Sequence, residues 1–65
     1  MNEDILRGKW KKMRGQVKKW WNLLTDDDLD RIGGSMHELA GTLQERYGYA
    51  REEAEREIER RLGAA

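Results

Sequence analysis

The sequence predicts an all-α fold, a small bundle of four helices around one core, and three observations carry that prediction. Apolar residues recur at steps of three and four, the spacing of one helical face. No segment alternates apolar and polar residues with the period of two that a half-buried strand needs, and the chain holds no proline. The gaps between the periodic segments are only a few residues long, so neighbouring helices must pair like hairpins. The 65 residues leave room for one domain, and this size class buries only about 60% of its unfolded surface.

The first helix is expected over residues 3–23, with Leu6, Trp10, Met13, Val17, Trp20 and Leu24 as its apolar stripe. Asn2 suits the N-cap, while Glu3 and Asp4 suit the positive end of the helix dipole. Trp21 flanks the stripe and shields its edge. At about 100° per residue, Gly8 and Gly15 fall about 200° and 180° from Leu6, opposite the core stripe. Each costs the helix up to about 1 kcal/mol relative to alanine. Two readings follow: a weak or kinked helix, or a smooth face on which another backbone approaches closely.

A second helix is expected over residues 26–32. Thr25 reads as its N-cap, Asp26, Asp27 and Asp28 fill its first turn, Leu29 and Ile32 face the core, and Gly33-Gly34 ends it. The third, residues 35–47, opens at Ser35, carries Met36, Leu39, Ala40, Leu43 and Tyr47 on one face, and stops at Gly48. The fourth, residues 51–62, shows a narrow stripe of Ala54, Ile58 and Leu62, with Glu52–Arg56 and Glu57–Arg61 spaced as i,i+4 ion pairs. A stripe this narrow places the last helix at the bundle's edge.

Composition bounds the function. Leu, Ile and Val make up 11 of the 65 residues, 40% of residues are charged, and the mean hydropathy is −1.07. Such a thin core approaches disordered compositions, but the zero formal net charge favours folding. With no cysteine there is no disulfide, thiol nucleophile or thiolate metal site. No apolar run is long enough for a signal peptide or a membrane span, so a cytoplasmic protein is expected. The neutrality conceals a division. Residues 1–24 hold seven Lys and Arg against two acids, a net +5, and residues 25–65 hold six against eleven, a net −5. Either the two parts attract each other or one of them meets an outside partner.

Candidate sites have plainer structural explanations. His37 is the sole histidine, and with Glu38 and Glu45 it lacks the second His or Cys of a credible metal shell. Asp26, Asp27, Asp28 and Asp30 lack the glycine turn and closing Glu of a calcium loop. Ser35 has no base beside it and no Gly-x-Ser-x-Gly elbow. A core this small leaves little to line a catalytic cleft, so no enzyme and no cofactor are expected. One pattern points outward. Arg7, Lys11, Arg14 and Lys18 step by four, three and four, an anion-binding stripe that Trp10 or Trp21 flanks. It suits nucleic-acid phosphates or an anionic membrane surface, although a pI near 6.6 is far from that of a basic nucleic-acid domain. The simpler reading pairs the stripe with the Glu-rich last helix.

Taken in order, several pieces carry a resemblance: Gly8, Trp10 and Lys11; Gly15, Val17, Lys18 and Trp20; Leu24-Thr25-Asp26-Asp27-Asp28-Leu29; Leu39 and Gly41; Gln44-Glu45-Arg46-Tyr47-Gly48-Tyr49; and Glu53-Ala54-Glu55. Over roughly residues 2–58 the chain resembles the CsbD-like family of small bacterial general-stress proteins. It departs at Trp21, where the family pattern has glycine, and at Ala50, where a capping Ser or Asp-like residue is usual. The resemblance implies a four- to five-helix bundle of two crossed α-hairpins, similar to SAM-domain folds, and expression under stress. It implies no reaction and supplies no binding residues. The functional expectation is therefore a non-enzymatic stress protein, a hydrophilic protectant or weak protein-interaction module, self-association included. Nucleic acid or an anionic membrane, bound through the basic first helix, is the alternative.

Overall fold

A computed structural model describes residues 2–64 of the chain, without the side chains of residues 2, 3 and 64. Among the described residues five helices follow in order: α1 (Asn2–Gly8), α2 (Trp10–Trp20), α3 (Asp26–Ile32), α4 (Met36–Tyr47) and α5 (Arg51–Ala64). The protein is an all-helical small bundle. Helix α4 packs on both α3 and α5, and α1 lies against α2, α4 and α5. No described helix is long and apolar enough to cross a membrane.

The expected first helix is two helices. Lys9, at φ −115° and ψ 22°, leaves the helical region and separates α1 from α2, and the second piece ends at Trp20 instead of running to residue 23. A distant part of the chain packs against this break. Gly34, at φ +93°, packs so closely that a Cβ there would lie 3.0 Å from Arg7 Cα, 3.3 Å from Trp10 Cβ and 3.5 Å from Leu6 O. Of the two readings for Gly8 and Gly15, the weak or kinked helix agrees with the break directly after Gly8; the close backbone approach is made by Gly34, whereas a Cβ at Gly8 or Gly15 would meet nothing within 4 Å. The expected Asn2 cap and the Glu3 dipole contact lie outside the described side chains.

The core consists of Leu6, Val17, Trp21, Leu24, Leu29, Ile32, Leu39, Ala40, Leu43, Ala54, Ile58 and Leu62. Trp10, Met13, Trp20, Met36, Tyr47 and Tyr49 pack partly buried around it. Trp21 is not an edge shield. With α2 finished at Trp20, its backbone turns to φ −131° and ψ 82° and its ring enters the core at 3% exposure. Trp20 stands against it edge-on, ring centres 5.7 Å apart. Helix α5 buries the narrow stripe expected of it, Ala54, Ile58 and Leu62, and packs on α4 and α1. Ala54 and Ile58 are fully buried, because small Ala54 allows α5 close contact with α4.

The boundaries follow local chemistry. Thr25 Oγ1 accepts the Asp28 N–H at 3.1 Å while Asp28 Oδ2 accepts the Thr25 N–H at 3.0 Å, a reciprocal capping box. Ser35 Oγ caps α4 by accepting the Glu38 N–H at 3.2 Å. Gly33 and Gly48 end α3 and α4 in the left-handed region, at φ 53° and 72°, where a side chain would be strained. On α5 the ion pairs that close are Arg51–Glu55 at 3.2 Å and Arg60–Glu57 at 2.7 Å. The expected Glu52–Arg56 and Glu57–Arg61 pairs do not form, and Arg61 Nε is buried without a hydrogen-bond partner.

Candidate functional site: a basic groove at the helix break

Two of the stretches that carry the family resemblance, residues 24–29 and 44–49, are partners. Asp28 is 2% exposed. Arg46 Nε donates to its Oδ2 at 2.9 Å, Arg46 Nη2 to its Oδ1 at 3.0 Å, and Arg31 Nη2 reaches Oδ1 at 3.3 Å. The Arg46 hydrogen bonds, followed by the Thr25 N–H, lower the Asp28 pKa to about 2, and the same pairing raises that of Arg46. Buried Thr42 donates to Glu38 O at 2.8 Å and lies 3.5 Å from Arg31 Nη2. Around Arg46, Glu45 meets Arg31 at 3.5 Å, Gln44 Oε1 accepts from Arg51 at 3.4 Å, and Tyr47 Oη accepts the Leu23 N–H at 3.1 Å. Tyr49 stacks on Tyr47, ring centres 5.5 Å apart.

The basic stripe divides. Arg14 Nη1 bonds Asp30 Oδ1 at 2.7 Å and Lys18 Nζ bonds Asp26 Oδ1 at 2.9 Å. The hydrogen bond from Lys18, with its charge, lowers the Asp26 pKa. The partner of this half of the stripe is therefore the aspartate turn of α3 and not the Glu-rich last helix. The reason is local: the connection after α2 is short, so Asp26 and Asp30 of α3 come within reach of the long Lys18 and Arg14 side chains. Asp26 and Asp30 serve as ion-pair acceptors and Asp28 as a cap and buried anchor. Among the described residues no three His, Asp or Glu side chains come together as a metal site.

Arg7 and Lys11, the other half of the stripe, line a half-open groove of about 460 Å³ at the α1–α2 break, together with Gly8, Lys9, Trp10 and Lys12. Lys9 and Lys12 did not belong to the stripe. The signal for them is compositional: four cations within residues 7–12, interleaved with a glycine and a tryptophan. No acidic residue stands in the first turn of α2 and no side chain caps it, so the helix dipole there adds to the positive field. Trp21, the other aromatic expected to flank the stripe, is in the core.

A second concavity, of about 330 Å³, lies between α4 and α5 beside Met36, His37, Arg51, Glu55 and Glu59. Arg51 Nη2 is 2.7 Å from His37 Nδ1. Because a guanidinium only donates, Nδ1 is the acceptor. His37, expected as a solvated helix residue, is exposed and yet bridges α4 to α5.

With this geometry in place, comparison with known proteins gives a consistent answer. The family model described as CsbD-like matches residues 4–56. The UPF0337 protein PA4738 of Pseudomonas aeruginosa is 50% identical over 58 residues, covering 89% of each chain. A UPF0337 protein of Bordetella pertussis is 52% identical over 58 residues, covering 89% of this chain and 88% of its own length. The UPF0337 protein YjbJ of Escherichia coli K12 is 48% identical over 58 residues, 89% and 84% respectively. No solved structure matches the chain.

Proposed function

Starting from a chain that belongs to the CsbD-like family, we propose a non-enzymatic bacterial stress-response protein that acts in the cytoplasm through its surface, as a hydrophilic protectant or through weak protein contacts. The observation that carries this reading is the Asp28–Arg46 pair. It joins two of the stretches that carry the family resemblance, so Asp28 and Arg46 act in holding the helices together. What faces outward is densely charged, in a chain with 40% charged residues and a mean hydropathy of −1.07. A polar surface of that kind suits abundance and weak contact better than a substrate pocket. The alternative, nucleic acid or an anionic membrane along Arg7, Lys11, Arg14 and Lys18, has Arg14 and Lys18 held in ion pairs with α3, which favours the first reading.

Deletion of the gene tests it. A deletion strain should survive hyperosmotic shock and drying less well than its parent, and re-expression of the chain should restore survival. Equal survival of the two strains would overturn the reading.

A further inference from the structure

The geometry points to the groove at the α1–α2 break as a binding site for a nucleoside polyphosphate, with the phosphates against Lys9, Lys11 and Lys12 and the planar base on Trp10. The site is a product of the break. On a continuous helix, at about 100° per residue, Lys9 would sit about 200° and Lys12 about 140° around from Arg7, and one side could not gather all these cations. The φ −115°, ψ 22° turn at Lys9 brings them to the rim of one concavity. Its volume of about 460 Å³ is within the roughly 300–1,000 Å³ of small-molecule sites.

Three further features select the ligand. The chain has 13 acidic residues, yet none of the described residues lining the groove is acidic, so the site is complementary to concentrated negative charge. Trp10 is half-buried against the core and lines the groove, and a ring held in place is a stacking platform for a base. Gly8 borders the groove where a Cβ would meet nothing within 4 Å. Its φ is not positive, so the fold gives no reason for glycine there, while a ligand gains room to reach the backbone.

A compact polyanion fits better than an extended one. Immediately along α2, Arg14 and Lys18 are held by Asp30 and Asp26, so the cationic surface stops after about one turn. A nucleic-acid strand or membrane plane crossing the groove would run onto those aspartates and the net −5 of residues 25–65. Inorganic phosphate would leave Trp10 unused. This site is independent of the stress role, and a survival experiment does not decide it.

Calorimetry and amide NMR on the full chain at physiological salt test the site, with ATP, inorganic tripolyphosphate and a thymidine octamer as probes. ATP should shift the amide signals of residues 7–12 and bind about tenfold more tightly than tripolyphosphate, the low end of what one stacked base contributes. Lys9→Glu with Lys12→Glu should weaken ATP at least about tenfold through lost phosphate contacts, with an unchanged circular dichroism spectrum. Lys19→Glu, on α2 outside the groove, should change it less than about twofold, the effect of a distant screened charge. Trp10→Leu should lower ATP to the tripolyphosphate level. If that variant does not fold, the ATP-to-tripolyphosphate ratio on the parent chain reads the same stacking. Absence of amide shifts with ATP, equal affinity for ATP and tripolyphosphate, equal losses in the Lys19 and Lys9/Lys12 variants, or an octamer bound more tightly than ATP would each overturn the proposal.

Discussion

Arg46 of α4 clasps the buried carboxylate of Asp28 in α3 through two hydrogen bonds, Nε to Oδ2 at 2.9 Å and Nη2 to Oδ1 at 3.0 Å. The same carboxylate closes the Thr25 capping box, so one side chain both starts α3 and docks it on α4. Helix α3 is only seven residues long, too short to persist alone. Its place in the fold depends on Leu29 and Ile32 in the core and on this anchor.

Acid should therefore loosen the protein in a way that depends on Asp28. Its folded pKa of about 2 lies below the ordinary 3.8, so folding favours the charged form. The stabilisation is full above about pH 5 and disappears as pH falls through 4 towards 2. The difference corresponds to at most about 2.5 kcal/mol, reduced to roughly 1–2 kcal/mol by solvent at the half-exposed Arg46. Urea titrations should show Asp28→Asn less stable than the parent at pH 7 and closer to it at pH 2.5. A constant gap between the two proteins across that range would contradict the assignment.

How far the sequence disclosed this fold depends on how local each determinant is. Thr25, Gly33, Ser35 and Gly48 act on residues three or four positions away, and the ends they mark lie where capping chemistry puts them. The break at Lys9 lies where Gly34 packs on Arg7 and Trp10, a contact that periodicity along one helix cannot register. The burial of Asp28 depends equally on Arg46, 18 residues away. The basic site was half legible. A 100° step groups Arg7 and Lys11 with Arg14 and Lys18, but the fold gives the latter two to α3 and brings Lys9 and Lys12 to the former.

Two glycines should respond to alanine in opposite directions. Gly34→Ala combines φ +93° with a Cβ only 3.0 Å from the Arg7 backbone. The strain and overpacking together should cost about 2–4 kcal/mol. Gly15→Ala meets nothing within 4 Å in the middle of α2 and should add up to about 1 kcal/mol. Thermal denaturation of both variants beside the parent checks the pair, and a neutral Gly34→Ala would mean that the turn does not press on α1.

Tyr47 connects the end of α4 to the segment after α2 by accepting the Leu23 N–H at 3.1 Å. Tyr47→Phe keeps the ring and its stacking on Tyr49 but removes that acceptor. The expected loss is about 0.5–1 kcal/mol, because water can reach the freed N–H. Amide exchange at Leu23 should accelerate in this variant. Unchanged exchange there would show that the hydroxyl does not hold the connection.

Ala50 stands where the family resemblance leads one to expect a capping Ser or Asp-like residue, and its methyl group predicts a weaker start to α5. Its carbonyl accepts the Ala54 N–H at 2.9 Å, so it stands at the N-cap of a helix running Arg51–Ala64. A methyl group there offers no acceptor to the free N–H groups of the first turn. A serine hydroxyl would, and exposed Ala50 leaves room for it. Ala50→Ser should therefore stabilise the protein by about 1 kcal/mol, a rise of roughly 4–8 °C in Tm for a domain of this size. Aspartate would also cap, yet it adds negative charge to a segment already at net −5, so its gain should be smaller at low salt and approach that of serine as salt is raised. If both variants melt with the parent at every salt concentration, the first turn of α5 is already satisfied and the departure at Ala50 carries no energetic cost.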